Sequence, residues 1–342
     1  MGHDLHFLKD LVSSEKSNRE SGLENFTQWL QEQTKDTVSE QDLAKVWKAL
    51  FLSLWMQDKP LLQQSLSIQI AESIHLINDH QLTISFLRAF WITIVREWPG
   101  IDRHRMDKFY FQIKSIIRNT FMFLEQNGWN IDACHCLSEI LQEVVFGFPL
   151  EHTPDSLKYF VSEYYLELLL EVIGTELKPS LTLILALFDP FFAVFSQSNK
   201  QTVCEKVKVL VLNPLLDHAT LLNSPDTSNP ALGIQFYKKY LENCKSSRKK
   251  LLQKLATAFG YAENKASSDE CQLSFEPPTI SAYLEMKRRR ILPWFVQEIT
   301  STGSRNNDSP RIKWGTTITK QFCASSPVCE VSCEKAFESE LL

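Results

Sequence analysis

The spacing of large apolar residues in two tryptophan-rich blocks restricts this chain to stacked amphipathic helices. Around KVWKALFLSLWMQDKP, Leu43, Val46, Trp47, Leu50, Phe51, Leu54 and Trp55 recur at i, i+3, i+4 and i+7, which puts them on one stripe of a helix. Asp58, Lys59 and Pro60 then end it. In FLRAFWITIVREWPGIDRHRMDKFY the pattern returns through Phe86, Leu87, Phe90, Trp91, Ile94, Val95 and Trp98, until Pro99 and Gly100 break it. A third helix follows, with Asp102 placed to cap it and Met106, Phe109, Tyr110, Ile113, Ile116 and Ile117 on its buried face.

The same period continues along the chain. Leu62, Leu66, Ile70, Ile74 and Ile77 form one helix face. Leu157, Phe160, Val161, Tyr164, Tyr165, Leu168, Leu169 and Val172 form another, entered through Thr153, Pro154 and Asp155 and left through Gly174. Further helices fit residues 17–33, 132–145, 179–195, 200–212, 230–243 and 244–259. Glycines are few and alternating β-branched runs nearly absent, so the fold class is all-α. Short connectors join helices that each carry an apolar face, and stacking antiparallel pairs buries those faces. The expected architecture is therefore a HEAT-like α-solenoid, with an irregular stack of helix pairs or a compact bundle left open because no fixed repeat stands out. This scaffold domain spans residues 1–260. From 261 to 342 the chain turns polar, serine-rich and proline-broken and reads as a mostly disordered tail, with one short helical segment over 283–299.

With 342 residues, 44% of them hydrophobic, the chain holds enough apolar surface for a sizeable core. Its formal net charge of -5 argues against nonspecific coating of nucleic acid, which requires an excess of cations to displace counterions, so any RNA contact must be local. The N-terminal MGHDLHFLKD lacks the apolar core of a secretory signal, so no export is expected. The longest apolar run, 181–195, is interrupted by Asp189 and Pro190 and falls short of the roughly 20 residues of a bilayer span. No membrane role is expected, and the scattered cysteines read as reduced thiols.

Several motifs mix rare tryptophans with fixed charges: Lys45-Val46-Trp47-Lys48, Trp55-Met56-Gln57-Asp58-Lys59-Pro60, Phe90-Trp91, and Arg96-Glu97-Trp98-Pro99-Gly100-Ile101-Asp102-Arg103, continuing through Arg105, Asp107, Lys108, Phe109 and Tyr110. In these the chain resembles the eukaryotic nucleolar ribosomal RNA processing protein 1 family. Phe7-Leu8-Lys9, a turn at Phe188-Asp189-Pro190-Phe191 and the Ser247-Arg248-Lys249-Lys250-Leu251 helix extend the likeness over residues 5–260 or so. The resemblance implies a helical N-terminal domain, a nuclear and nucleolar location and a part in making ribosomal subunits. It also implies preribosomal assembly factors as partners, with pre-rRNA as a further contact through local basic patches. Members of the family commonly continue into a long basic tail, whereas residues 261–342 here are of mixed composition.

On that reading the protein works by docking and not by catalysis. The alternative is a cytoplasmic helical-repeat adaptor that uses the same ridges on proteins alone. The candidate docking surface for a protein or rRNA phosphate is the cluster Arg96, Asp102, Arg103, Arg105 and Lys108 around the Trp98-Pro99-Gly100 turn, on the exposed side of the helix that follows. Lys245, Arg248, Lys249, Lys250 and Lys254 give a later helix a basic face. Lys287, Arg288, Arg289 and Arg290 suit nuclear import. Trp47, Trp55, Trp91 and Trp98 lie on stripes with leucines and phenylalanines and so read as core, not as an RNA stacking platform. No metal or other cofactor and no small-molecule substrate is expected. Cys134, His135 and Cys136 sit in an apolar helical stretch, and Cys323, Cys329 and Cys333 lack ligand spacing. No nucleophile elbow or phosphate loop is present in the sequence, and Asp102 and His104 point apart.

Overall fold

The computed structural model describes residues 5–148, 150, 152–174, 180–217, 230–242 and 244–261, and among them there is no strand. The helices are α1 (Phe7–Leu11), α2 (Lys16–Gln31), α3 (Glu40–Trp55), α4 (Pro60–Glu72), α5 (His80–Glu97), α6 (Met106–Gln126), α7 (Ile131–Ile140), α8 (Asp155–Ile173), α9 (Leu181–Gln197), α10 (Gln201–Val207), α11 (Asn213–Asp217), α12 (Pro230–Tyr240) and α13 (Ser246–Ala258). Wider π turns at Leu141–Val145 and Lys208–Leu212 extend α7 and join α10 to α11. The expected tail over 261–342 lies outside the described residues from 262 onward.

Helix boundaries follow from capping chemistry. Ser39 accepts from the Asp42 amide to start α3, Asn130 from the Asp132 and Ala133 amides to start α7, and Ser180 from the Leu183 amide to start α9. Pro60 opens α4, where its missing N–H costs nothing. Gly174 ends α8 at φ 66°, a conformation that side chains with a Cβ resist. Asp79 caps α5 by accepting from Gln81 and Leu82, and it also accepts from the Lys35 amide at 2.7 Å. The Lys35 hydrogen bond is the main reason its carboxyl titrates below the ordinary aspartate value. Asp102 caps a turn ahead of α6 and not the helix itself: it accepts from the His104 and Arg105 amides, and α6 begins only at Met106.

The helices form two rows. In one, α3 packs on α5, α5 on α7 and α7 on α9; in the other, α4 packs on α6, α6 on α8 and α8 on α10. Helices within a row run parallel. Tyr110 stacks on Phe160 at 4.2 Å, the Lys114 ammonium lies 4.6 Å from the Tyr164 ring and Arg118 pairs with Glu171, so α6 and α8 share one register from end to end. Alternating rows of this kind make a solenoid-like all-α fold, with α1 and α2 packed at the start and α12 and α13 packed against α9. The core lies between the rows and includes Phe26, Trp47, Phe86, Phe109, Phe121, Phe188, Phe191 and Phe259.

One local expectation is corrected. Residues 188–191 are not a turn: α9 runs through them with Pro190 inside the helix. Proline removes the N–H that would bond the carbonyl four residues back and crowds the turn before it. Here the Ala186 carbonyl accepts from the Ser138 hydroxyl of α7, and the Leu187 carbonyl accepts from the Tyr165 hydroxyl of α8 at 3.0 Å. The Ser138 hydroxyl thus supplies the donor that the proline removes, and Tyr165 adds a second hydrogen bond to the adjacent carbonyl. Ser138→Ala leaves the buried Ala186 carbonyl short of a donor and should cost about 1–3 kcal/mol in urea unfolding, whereas Tyr165→Phe, whose Leu187 partner keeps the Phe191 N–H in register, should cost less. A loss within error of zero for Ser138→Ala would show that α9 tolerates Pro190 by some other means.

Candidate docking surfaces

The corner where α5 meets α6 brings together all five charged residues expected there. The structure engages three of them in contacts within the fold. Arg105 lies with its guanidinium carbon 4.7 Å from the centre of the Trp55 ring and donates to the Asp102 carboxylate. That hydrogen bond is the main reason Asp102 titrates below the ordinary aspartate value. Lys108 is only 5% exposed, a correction to its expected place on the solvent side. It sits on the first turn of α6 and donates to the Trp55 carbonyl at 2.5 Å and the Gln57 carbonyl at 2.9 Å, closing the C-terminal end of α3. The remaining two, Arg96 and Arg103, are exposed. Arg96 donates to Glu97, whose other oxygen pairs with Lys48 at 3.1 Å. The corner therefore presents Arg96, Arg103 and His104 outward, with Asp107 beside them.

The tryptophans hold this corner from within. Trp47 donates to the Phe86 carbonyl at 2.8 Å and Trp98 to the Ser156 hydroxyl at 2.9 Å, while Trp91 is buried beside Phe90. Trp55, under Arg105, is partly exposed. The polar tips of Trp47 and Trp98 have partners in neighbouring helices, which fits packing and leaves no open row of indole faces for bases.

The basic face of α13 is likewise divided. Arg248 is 4% exposed and donates to the Phe195 and Ser198 carbonyls at 2.9 and 2.8 Å, closing the C-terminal end of α9 as Lys108 closes α3. This corrects its expected place on a solvated face. Lys245, Lys249, Lys250 and Lys254 are exposed. The fold adds Lys238 and Lys239, which the sequence reading passed over because they belong to a different helix. They occupy the last turn of α12, and the short link to α13 brings them to the same end of the hairpin as Lys245. Lys239 reaches back to Asp189 of α9. The import candidate Lys287, Arg288, Arg289 and Arg290 lies outside the described residues.

Among the described residues no group of three or more His, Cys, Asp and Glu side chains could hold a metal ion. Cys134 is buried and its thiol is pushed up to about 12, chiefly by burial, whereas the neighbouring His135 faces solvent. The cysteines among the described residues form no disulfide. No helix among them is long and apolar enough to cross a membrane.

Burial also holds Lys108 down to about 8, a shift that Arg105 reinforces and that Asp58 and Asp102 oppose. Between about 8 and the ordinary lysine value the unfolded chain binds the proton that the native chain has released. Unfolding therefore takes up a proton, and native stability rises with pH across that window. A lysine-selective NMR titration should find one side chain titrating near 8 that Lys108→Met removes. A Lys108 titration at the ordinary lysine value would contradict the buried placement.

A family model described as nucleolar protein, Nop52, matches residues 3–255, which span all the helices above except the last few residues of α13. Human ribosomal RNA processing protein 1 homolog B is 31% identical over 219 residues, covering 63% of this chain and 28% of that protein. Mouse ribosomal RNA processing protein 1 homolog A is 29% identical over 234 residues, covering 66% of this chain and 47% of that protein. The Dictyostelium discoideum homolog is 26% identical over 257 residues, covering 66% of this chain and 51% of that protein. The chain thus matches between about a quarter and a half of the length of these relatives.

Proposed function

We propose that this chain, which belongs to the nucleolar protein Nop52 family and so counts among nucleolar proteins, takes part in ribosomal RNA processing as a helical docking scaffold without chemistry of its own. The observation that carries the reading is that the likeness to proteins named for ribosomal RNA processing runs along the two-row helical stack itself. A rigid stack offers long outer faces from which charged side chains can engage preribosomal assembly factors. On the α5–α6 corner those side chains are Arg96 and Arg103. Arg105, Asp102 and Lys108 hold the corner in shape beneath them.

The same division directs mutagenesis. Because Arg96 and Arg103 are exposed, reversing both to Glu should leave the melting temperature nearly unchanged, as surface substitutions usually fall within about 0.5 kcal/mol of neutral. The double variant should nevertheless co-sediment less with preribosomal particles. Undiminished co-sedimentation would remove this corner from the docking surface. Depleting the protein should cause pre-rRNA precursors to accumulate, and an unaltered precursor profile would sink the processing role.

A further inference from the structure

We infer that the α12–α13 hairpin binds single-stranded RNA, with its lysines on the phosphates and the stacked pair Tyr237 and Tyr261 extending to a base. This rests on the processing role proposed above and names the chemistry of one of its contacts. Two independent features of the hairpin meet in it.

The first is charge. Between Lys238 and Lys254 the only carboxylate in the sequence is Glu242, although the whole chain is acidic at -5. Lys238, Lys249, Lys250 and Lys254 are exposed, and no ion pair to them is found among the described residues. Lys245 stands beside them with its ammonium 3.0 Å from the Asn199 side-chain oxygen. On α13, Lys245 and Lys249 are one turn apart, as are Lys250 and Lys254, so two adjacent stripes of cations run along the helix. Arg248 lies beneath them, clamped on α9, and fixes the start of the helix that carries them.

The second is an aromatic pair that the backbone is built to allow. The Tyr237 and Tyr261 rings lie 4.4 Å apart and 10° from parallel, and both residues are partly exposed. Gly233, one turn before Tyr237, makes room for this. A Cβ at that position would meet the Tyr261 backbone, with the Cα only 2.8 Å away, so only glycine lets the end of α13 come close enough to lay Tyr261 over Tyr237. A base can continue such a stack.

Lysines alone would serve any polyanion, an acidic protein included. A stacked tyrosine pair on the same hairpin favours a single strand, because every base offers a π face and a duplex keeps its bases stacked inside.

The test uses the purified full chain with a labelled mixed-sequence RNA of about 12 nucleotides, within the range one such site covers, and a duplex of the same length. Anisotropy titrations over a salt series compare wild type with Tyr237→Leu, Tyr261→Leu, Tyr237→Trp and the pair Lys249→Gln and Lys250→Gln, each checked by thermal melting. Each leucine variant should weaken single-strand binding roughly tenfold to a hundredfold and leave duplex binding unchanged. Tyr237→Trp, which keeps an aromatic face, should bind the single strand at least as well as wild type. The lysine pair should flatten the slope of log affinity against log salt by about 1.4, or 0.7 for each lost cation. Wild-type binding to single strands at every leucine variant that folds, a preference for duplex, or equal competition by polyglutamate would overturn the inference. So would loss of binding by Tyr237→Trp if the leucine variants fail to fold. Wild-type chain that co-sediments with preribosomal particles yet fails to bind the single strand would sink this inference alone. Failure of the wild type to co-sediment would count against the processing role itself.

Discussion

Buried cations that close the ends of earlier helices hold this stack together. A helix leaves its last carbonyls without intrahelical donors, and in a two-row stack some of those ends lie away from water. Lys108 meets the end of α3 and Arg248 the end of α9, each from the first turn of a helix that follows later in the chain. The arrangement satisfies the carbonyls and sets a positive charge against the negative end of the helix dipole. It also has a cost in desolvation, visible in the lowered titration of Lys108. Lys158 occupies on α8 the position that Lys108 holds on α6, given the shared register set by Tyr110 and Phe160 and by Lys114 and Tyr164. It is as deeply buried and pairs with Asp155, which also receives Lys200. Charge in this protein is therefore structural first and available for partners only where a side chain is left over.

That ordering explains what could and could not be read from the residues. The helices were legible because apolar spacing and capping residues such as Ser39, Asn130 and Gly174 act locally. The tryptophans read as core for the same reason. The fate of Lys108 and Arg248 was not legible, since a lysine among polar neighbours looks alike whether it meets water or a carbonyl from a helix some 50 residues earlier, as both do here. Pro190 misled in the opposite direction. Its missing hydrogen bond is made good by Ser138, and nothing near residue 190 announces that donor. The repeat was also hidden: the rows alternate regularly, while π turns and unequal helix lengths blur any fixed period.

The surfaces that remain differ in character. At the α5–α6 corner, the proposed site for a protein partner, a pair of arginines stands on an interlocked base of Trp55, Arg105 and Asp102. At the other end of the stack the α12–α13 hairpin carries both exposed lysines and a stacked tyrosine pair. An acidic chain with cations concentrated on one hairpin can favour one orientation on a particle of protein and RNA.

The central claim is that this helical stack docks on preribosomal particles mainly through protein contacts. Affinity purification of the tagged chain from nuclear extract, with and without RNase, tests it most directly. The account predicts recovery of pre-rRNA together with assembly factors, and retention of the factors after RNase treatment. A set of cytoplasmic partners without rRNA precursors would contradict it.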